Sequence, residues 1–198
     1  MNPLVIGMAI AVGVGVLLVA SSSYSSPRRV LLVGDSLTNG YVWYLKRHAG
    51  AAKWLVDHVA IDGAGAEQVY KAAYDRLHSG AYTDVVVLLG VNDLASRRAS
   101  ARQWLGTIYG AAKGNGARVS AVMLTPWACH AKGKGLQDAT NELNDWIARS
   151  ANVDVVIATA DLGDASGCLW PDYAGKDGLH MNAAGYATLA DIIYERVK

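Results

Sequence analysis

The sequence contains three side chains that together could carry out nucleophilic chemistry, one near its beginning and two near its end. Ser36 follows closely on the apolar run Val30–Val33, whereas Asp177 and His180 lie three residues apart near the other end. A serine hydroxyl is a weak nucleophile until a base, usually a histidine, takes its proton and a carboxylate orients the imidazole. A single serine after a strand more often caps a helix. We therefore expect a catalytic triad only if the fold brings Ser36, His180 and Asp177 together.

Two glycine-containing turns supply groups that could stabilise a negatively charged oxygen. Gly65 ends the turn 62–65, and Asn92 lies in the turn 90–93. The backbone N–H groups of Ser36 and Gly65, with the side-chain amide of Asn92, predict an oxyanion hole of three donors. The structural alternatives are a turn at Gly65 that needs positive φ and a helix cap at Asn92.

The elements that must position these residues are short apolar runs alternating with helix-like stretches. The runs are rich in Val, Ile and Leu, which is typical of strands buried on both faces. The predicted strands are Val30–Val33, Trp54–Ile61, Asp84–Leu89, Arg118–Leu124 and Val153–Ala158. The predicted helices are about Val42–Ala49, Ala66–His78, Ala99–Lys113, Leu136–Ser150 and Ala183–Val197. This alternation predicts a parallel sheet with helices on both faces and a ligand site beyond the carboxyl ends of the strands.

Composition narrows the class of protein further. The chain has 198 residues, of which 52% are hydrophobic and 18% charged, and a formal net charge of +1. That length suits one domain with a sizeable core, and the apolar content excludes a disordered chain. Because no basic field would attract a phosphate backbone, we expect no nucleic-acid partner. The composition leaves the oligomeric state open.

The first 22 residues differ from the rest. Residues 1–26 carry no charged side chain, and Pro3–Ala20 is an apolar run that as a helix would reach roughly 27 Å. The small residues that follow resemble a signal-peptidase site, so residues 1–22 are predicted to be a signal peptide or a membrane anchor. Residues 23–27 are predicted to form a linker, and residues 28–198 the domain that would carry the expected triad. The domain is expected to be exported or membrane-anchored; Arg28 and Arg29 after the run leave open which side it faces.

Four blocks in order give this sequence a family resemblance. Gly34-Asp35-Ser36-Leu37, Gly65, Gly90-Val91-Asn92-Asp93 and Asp177-Gly178-Leu179-His180 resemble the motifs of the SGNH-hydrolase (GDSL esterase/lipase) superfamily. The resemblance covers residues 28–198. It implies a three-layer α/β/α flavodoxin-like sandwich with a five-stranded parallel sheet in the order 2-1-3-4-5.

The resemblance also implies roles for the residues of these blocks. Ser36 would be the nucleophile and first oxyanion donor, Gly65 the second donor and Asn92 the third. His180 would be the base, oriented by Asp177. In the one-residue block, Gly63 is the alternative to Gly65.

The expected activity is hydrolysis of carboxylic esters through an acyl-enzyme, with no cofactor and no metal. An exported domain would meet O-acetylated carbohydrate of an envelope or extracellular polymer. The same machinery serves lysophospholipids, thioesters and other lipid esters, and a catalytically idle binding module is the alternative from another class. The expected partner is thus a small-molecule, lipid or carbohydrate ester, and a membrane if the leader is retained.

Two other patterns carry little weight. Gly63-Ala64-Gly65-Ala66-Glu67-Gln68 begins like a dinucleotide fingerprint but lacks its third glycine. Cys129, His130 and Cys168 lack the paired spacing of a metal site.

The loops after the last two strands carry the remaining candidate residues. Trp127 and Trp170 lie there and are predicted substrate contacts that could stack on sugar. Cys129 and Cys168 are the only cysteines. In the implied strand order the two strands are neighbours, so a Cys129–Cys168 disulfide is expected, with two free thiols as the alternative.

Overall fold

The computed structural model describes residues 27–149 and 151–198. Strands and helices alternate along it as the hydrophobic pattern predicts. The strands are β1 (Arg29–Gly34), β2 (Leu55–Ala60), β3 (Asp84–Leu88), β4 (Arg118–Val122) and β5 (Val155–Ile157). The helices are α1 (Ser36–Ala51), α2 (Ala66–Leu77), α3 (Val91–Ala95), α4 (Ala101–Gly114), α5 (Gln137–Arg149) and α6 (Ala183–Val197), with a 3₁₀ turn at Ala160–Leu162.

The five strands form one parallel sheet in the order β2-β1-β3-β4-β5, which confirms the predicted topology. Helix α1 connects β1 to β2, whereas α2, α4 and α5 connect strands in the opposite direction across the sheet, toward β5. Because such crossovers are right-handed, α1 lies on one face of the sheet and α2, α4 and α5 lie on the other. The last helix, α6, packs beside α1. The chain therefore forms three layers, and the strand order reverses between β1 and β3.

The core lies on the central strands. Every residue of β3 is buried, and β1 and β4 are buried after their first residue, whereas the edge strand β2 is partly exposed along its length. This gradient explains why the central strands are continuous apolar runs in the sequence. The buried carboxyl ends of β1 and β3 therefore give rigid support to the residues that follow these strands, at the starts of α1 and α3.

Two helices differ from the prediction. Helix α1 begins at Ser36 rather than Val42, because the Asp35 carboxylate accepts a hydrogen bond from the Leu37 N–H and caps the helix directly after β1. Helix α3 is a single short turn that the hydrophobic period was too brief to reveal. In residues 27–149 and 151–198, no helix is long and apolar enough to cross a membrane. The predicted leader, residues 1–22, lies outside the described residues.

Candidate active site

The fold brings Ser36, His180 and Asp177 together at the carboxyl end of β1. His180 Nε2 lies 2.8 Å from Ser36 Oγ, although the two residues are 144 positions apart in the chain. The other ring nitrogen, Nδ1, lies 2.6 Å from Asp177 Oδ2. This is the geometry in which a histidine can take a proton from a serine while a carboxylate fixes its tautomer.

The turn from Asp177 to His180 holds the base in place. The second carboxylate oxygen, Asp177 Oδ1, accepts hydrogen bonds from the backbone N–H groups of Leu179 and His180. Burial opposes ionisation of Asp177, but the His180 ring and these two N–H groups outweigh it and lower the pKa of Asp177 to about 2. Gly178 has φ +72°, which suits glycine, and a Cβ there would lie 2.9 Å from the backbone carbonyl carbon of Cys129. Asp177 therefore stays ionised at neutral pH in a turn packed against the loop after β4.

Asp35 is a second carboxylate beside the nucleophile, and it is completely buried. Its Oδ1 caps α1 at Leu37, and its Oδ2 accepts a hydrogen bond of 2.9 Å from the Asn92 side-chain amide. Burial raises the pKa of Asp35 to about 6, partly offset by these hydrogen bonds. Asp35 thus connects the end of β1 to the residues after β3, a role that the sequence pattern did not reveal.

The predicted oxyanion donors are near one another but are not all free. The Asn92 amide nitrogen donates to Asp35 and also to the Ala64 carbonyl, at 3.1 Å. The Gly65 N–H donates to the side-chain oxygen Oε1 of Gln68, at 3.1 Å. The expectation of a free N–H at Gly65 was therefore wrong for this structure, because the third residue of α2 caps it.

Helices α1 and α6 keep the nucleophile and the base in register. The ring of Tyr186 in α6 lies against Gly40 in α1, where a Cβ would be 2.1 Å from the ring carbon Cζ. Burial, with the Asp177 and Asp35 carboxylates nearby, raises the pKa of Tyr186 to about 12. Its hydroxyl therefore stays protonated at neutral pH. Only the contact with Gly40 identifies Tyr186, since nothing in the sequence singles it out.

The loops after β4 and β5 are joined by a disulfide between Cys129 and Cys168, with Cα atoms 5.1 Å apart. The expectation that Trp127 contacts substrate was wrong: the side chain is 1% exposed, and its indole N–H donates to the Thr140 hydroxyl. Trp170 is 45% exposed and remains available to a ligand. Trp127 therefore belongs to the core beside α5, and Trp170 lies on the surface.

Comparison with known proteins agrees with this architecture. The model of the GDSL-like Lipase/Acylhydrolase family matches residues 32–188. The chain belongs to this family, and the family supports hydrolysis of esters or lipids in general. Among curated proteins, none matches the chain.

Several solved structures share the fold at low sequence identity. A GDSL-like lipase from Bacteroides thetaiotaomicron VPI-5482 has a TM-score of 0.69 and 20% identity, over 85% of this chain and 86% of that one. A lipase/acylhydrolase from Enterococcus faecalis has a TM-score of 0.66 and 21% identity, over 86% and 95%. A psychrotrophic esterase from Pseudoalteromonas sp. has a TM-score of 0.61 and 17% identity, over 86% and 96%, and was solved inhibited by monoethylphosphonate.

Proposed function

We propose that this protein is a serine esterase that cleaves carboxylic esters through an acyl-enzyme on Ser36. The observation that carries the proposal is the chain of two contacts from Ser36 Oγ to His180 Nε2 and from His180 Nδ1 to Asp177, at 2.8 and 2.6 Å. Ser36 comes from the first motif of the sequence, whereas Asp177 and His180 come from the last. A merely structural serine at this position would not need a base within hydrogen-bond distance.

The reaction follows from these positions. Ser36 Oγ attacks the ester carbonyl as its proton passes to His180 Nε2, and the imidazolium is stabilised by ionised Asp177. The carbonyl oxygen becomes an oxyanion, for which we propose the Ser36 N–H and the Asn92 amide as donors. In this structure the Asn92 amide donates to Asp35 and the Ala64 carbonyl, and the Gly65 N–H donates to Gln68. His180 then protonates the departing alcohol. Water, deprotonated by His180, cleaves the acyl-enzyme and releases the acid and free Ser36.

For the substrate, we propose an O-acetyl group on carbohydrate. A cavity of about 300 Å³ lies beyond β4 and β5, and none of the residues that line it belongs to the proposed triad. Its polar lining is made mainly of neutral amides and hydroxyls, among them Gln137, Asn141, Asn144 and Thr125. Such groups suit the hydroxyls of a sugar better than a long acyl chain. The exposed ring of Trp170, three positions after the lining residue Gly167, offers an apolar face on which a sugar can stack.

We also propose that the domain works outside the cytoplasm. The Cys129–Cys168 disulfide supports this, because such bonds persist in oxidising compartments. The apolar segment of residues 1–22 would supply the route, as a cleaved signal peptide or a retained anchor.

The test is hydrolysis of p-nitrophenyl acetate followed by a panel of acetylated sugars, longer acyl esters and lysophospholipids. Wild type should give a burst of p-nitrophenol, and Ser36→Ala should lower kcat by roughly 10⁴- to 10⁶-fold with an unchanged melting temperature. Ser100→Ala removes a serine at the start of another helix, α4, and should leave the rate unchanged. Wild-type turnover by folded Ser36→Ala would refute the triad. Release of p-nitrophenol by wild type no faster than by Ser36→Ala would favour the binding-module alternative. Fastest turnover of long acyl chains would refute the carbohydrate proposal.

A further inference from the structure

The base of the proposed triad lies on a turn that is only partly buried. The side chains of Asp177 and His180 are 44% and 42% exposed. Both hydrogen bonds that Asp177 Oδ1 accepts come from within the turn, from the backbone N–H groups of Leu179 and His180. These bonds fix the shape of the turn. Its position relative to Ser36 also depends on what packs around it.

The loop after β4 packs directly against this turn. A Cβ at Gly178 would lie 2.9 Å from the carbonyl carbon of Cys129 and 3.1 Å from the backbone nitrogen of His130. Among the described residues, no hydrogen bond joins the loop, residues 127–136, to residues 175–181. The loop therefore supports the turn by packing alone, and it can do so only while it is itself held in place.

The disulfide closes a ring around this contact. Cys129 is bonded to Cys168, and Cys168 lies ten positions before Gly178. The chain then returns at Gly178 to pack on the backbone of Cys129. One covalent bond and one packed contact thus join the catalytic turn to the loop after β4.

Little else ties the two loops together at this point. Between residues 127–136 and residues 163–170, the structure as described has one backbone hydrogen bond, from the Ala128 N–H to the Gly167 carbonyl at 2.9 Å. Without the disulfide, that hydrogen bond and side-chain packing would be left to hold the loop against the turn.

We propose that the disulfide is a positioning bond for catalysis: it holds the loop after β4 against Gly178 and thereby keeps His180 at hydrogen-bond distance from Ser36. This rests on the proposed function, in which His180 is the base. Misplacing a catalytic group by about 1 Å can cost about 10²-fold in rate. The core lies on the central strands, away from the bond, so the fold outlasts its loss.

Reduction would release this support. The thiolate of a dithiol attacks one sulfur, the S–S bond breaks, and the second thiol of the reductant then closes its own disulfide. Two electrons and two protons pass to the protein, which is left with two cysteine thiols. Cys129 is exposed, so a reductant can reach the bond. The proposed esterase is therefore fully active only in an oxidising compartment, where the bond persists.

The test is steady-state hydrolysis of p-nitrophenyl acetate by three forms of the protein. These are oxidised wild type, wild type reduced with a dithiol and then freed of it, and the double variant Cys129→Ser/Cys168→Ser. All are assayed in sucrose, which favours the compact state, at a temperature where circular dichroism shows equal helix content. The second and third forms should lose roughly 10- to 100-fold in kcat with a smaller change in KM, and reoxidation of reduced wild type should restore kcat.

The matched control is a loss of stability far from the turn. Leu77 is 2% exposed at the last position of α2, at the opposite edge of the sheet from Ser36. Leu77→Ala should lower the melting temperature about as much as loss of the disulfide does, because it leaves a cavity in the core. It should leave kcat within about twofold of oxidised wild type.

A folded double variant with kcat within twofold of oxidised wild type would overturn the positioning bond. An equal loss of kcat in Leu77→Ala would also overturn it, because general instability would then explain both results. If oxidised wild type is no faster than Ser36→Ala, the proposed esterase is rejected instead. The proton NMR signal of the His180–Asp177 hydrogen bond still tests the positioning bond: it should be sharp in oxidised protein and broadened in reduced protein, and an unchanged signal would contradict it.

Discussion

Removing the disulfide should weaken the domain substantially, because it closes a long loop. Cys129 and Cys168 are separated by 39 positions. In the chain-entropy model, cross-linking a loop of that length removes about 13 cal/mol/K from the unfolded ensemble, or about 4 kcal/mol at 25 °C. For a domain of about 170 residues, with an unfolding entropy of about 2.1 cal/mol/K per residue, this corresponds to roughly 10 °C in Tm.

The assay is urea unfolding of wild type and of the double variant Cys129→Ser/Cys168→Ser. We expect the free energy of unfolding to fall by about 4 kcal/mol. Wild type kept reduced should match the double variant, which separates the cross-link from the effect of the serine side chains. Unreduced, denatured wild type should show no free thiol in residues 27–198.

A difference below about 1 kcal/mol would refute the reasoning, because the unfolded chain would then be little constrained by the bond. A large loss in the double variant without a matching loss in reduced wild type would also refute it. In that case the stability would come from how the two sulfur atoms pack and not from loop closure.

Two further predictions concern the residues around Ser36. Asn92→Ala should lower kcat roughly 10²- to 10³-fold with nearly unchanged KM, because the amide is a proposed oxyanion donor and also fixes Asp35 and the Ala64 carbonyl. Steady-state kinetics test this, and a rise in KM alone would contradict it. Buried Asp35 has a pKa of about 6 in the folded protein, so its protonated form stabilises the fold. This contribution is fully present below about pH 4 and is lost as the pH rises through about 6. The free energy of unfolding should therefore be about 1 kcal/mol larger at pH 5 than at pH 7. Asp35→Asn should remove this pH-dependent share in parallel unfolding titrations, and identical pH dependence in both proteins would contradict the shift.

The parallel sheet was predictable from physical regularities of the sequence, whereas its strand order came from the family resemblance. Continuous apolar runs marked the central strands, and alternation with helices marked them as parallel. The start of α1 was not predictable from hydrophobic periodicity, since it depends on the capping carboxylate of Asp35 and not on an apolar face.

The candidate site was predictable as a set of residues but not as a set of hydrogen bonds. The order of the motifs along the chain predicted that Ser36, Asp177 and His180 belong to one site. The occupation of the Gly65 N–H by Gln68 is a contact across one helical turn, for which a Gly-x-x-Gln spacing was the available signal. The burial of Trp127 had no such signal, because it depends on how the loop after β4 folds onto α5 and the hydroxyl of Thr140.

The separation of Ser36 from His180 has a consequence for biosynthesis. The serine belongs to the first strand-helix unit, whereas the histidine follows 144 positions later and is set by α6 packing beside α1. During synthesis the amino-terminal part of a chain emerges first. A nascent chain therefore exposes a serine that has no base to activate it. If the proposed chemistry holds, no ester in the compartment of synthesis can be cleaved until translation has passed α6 and that helix has docked.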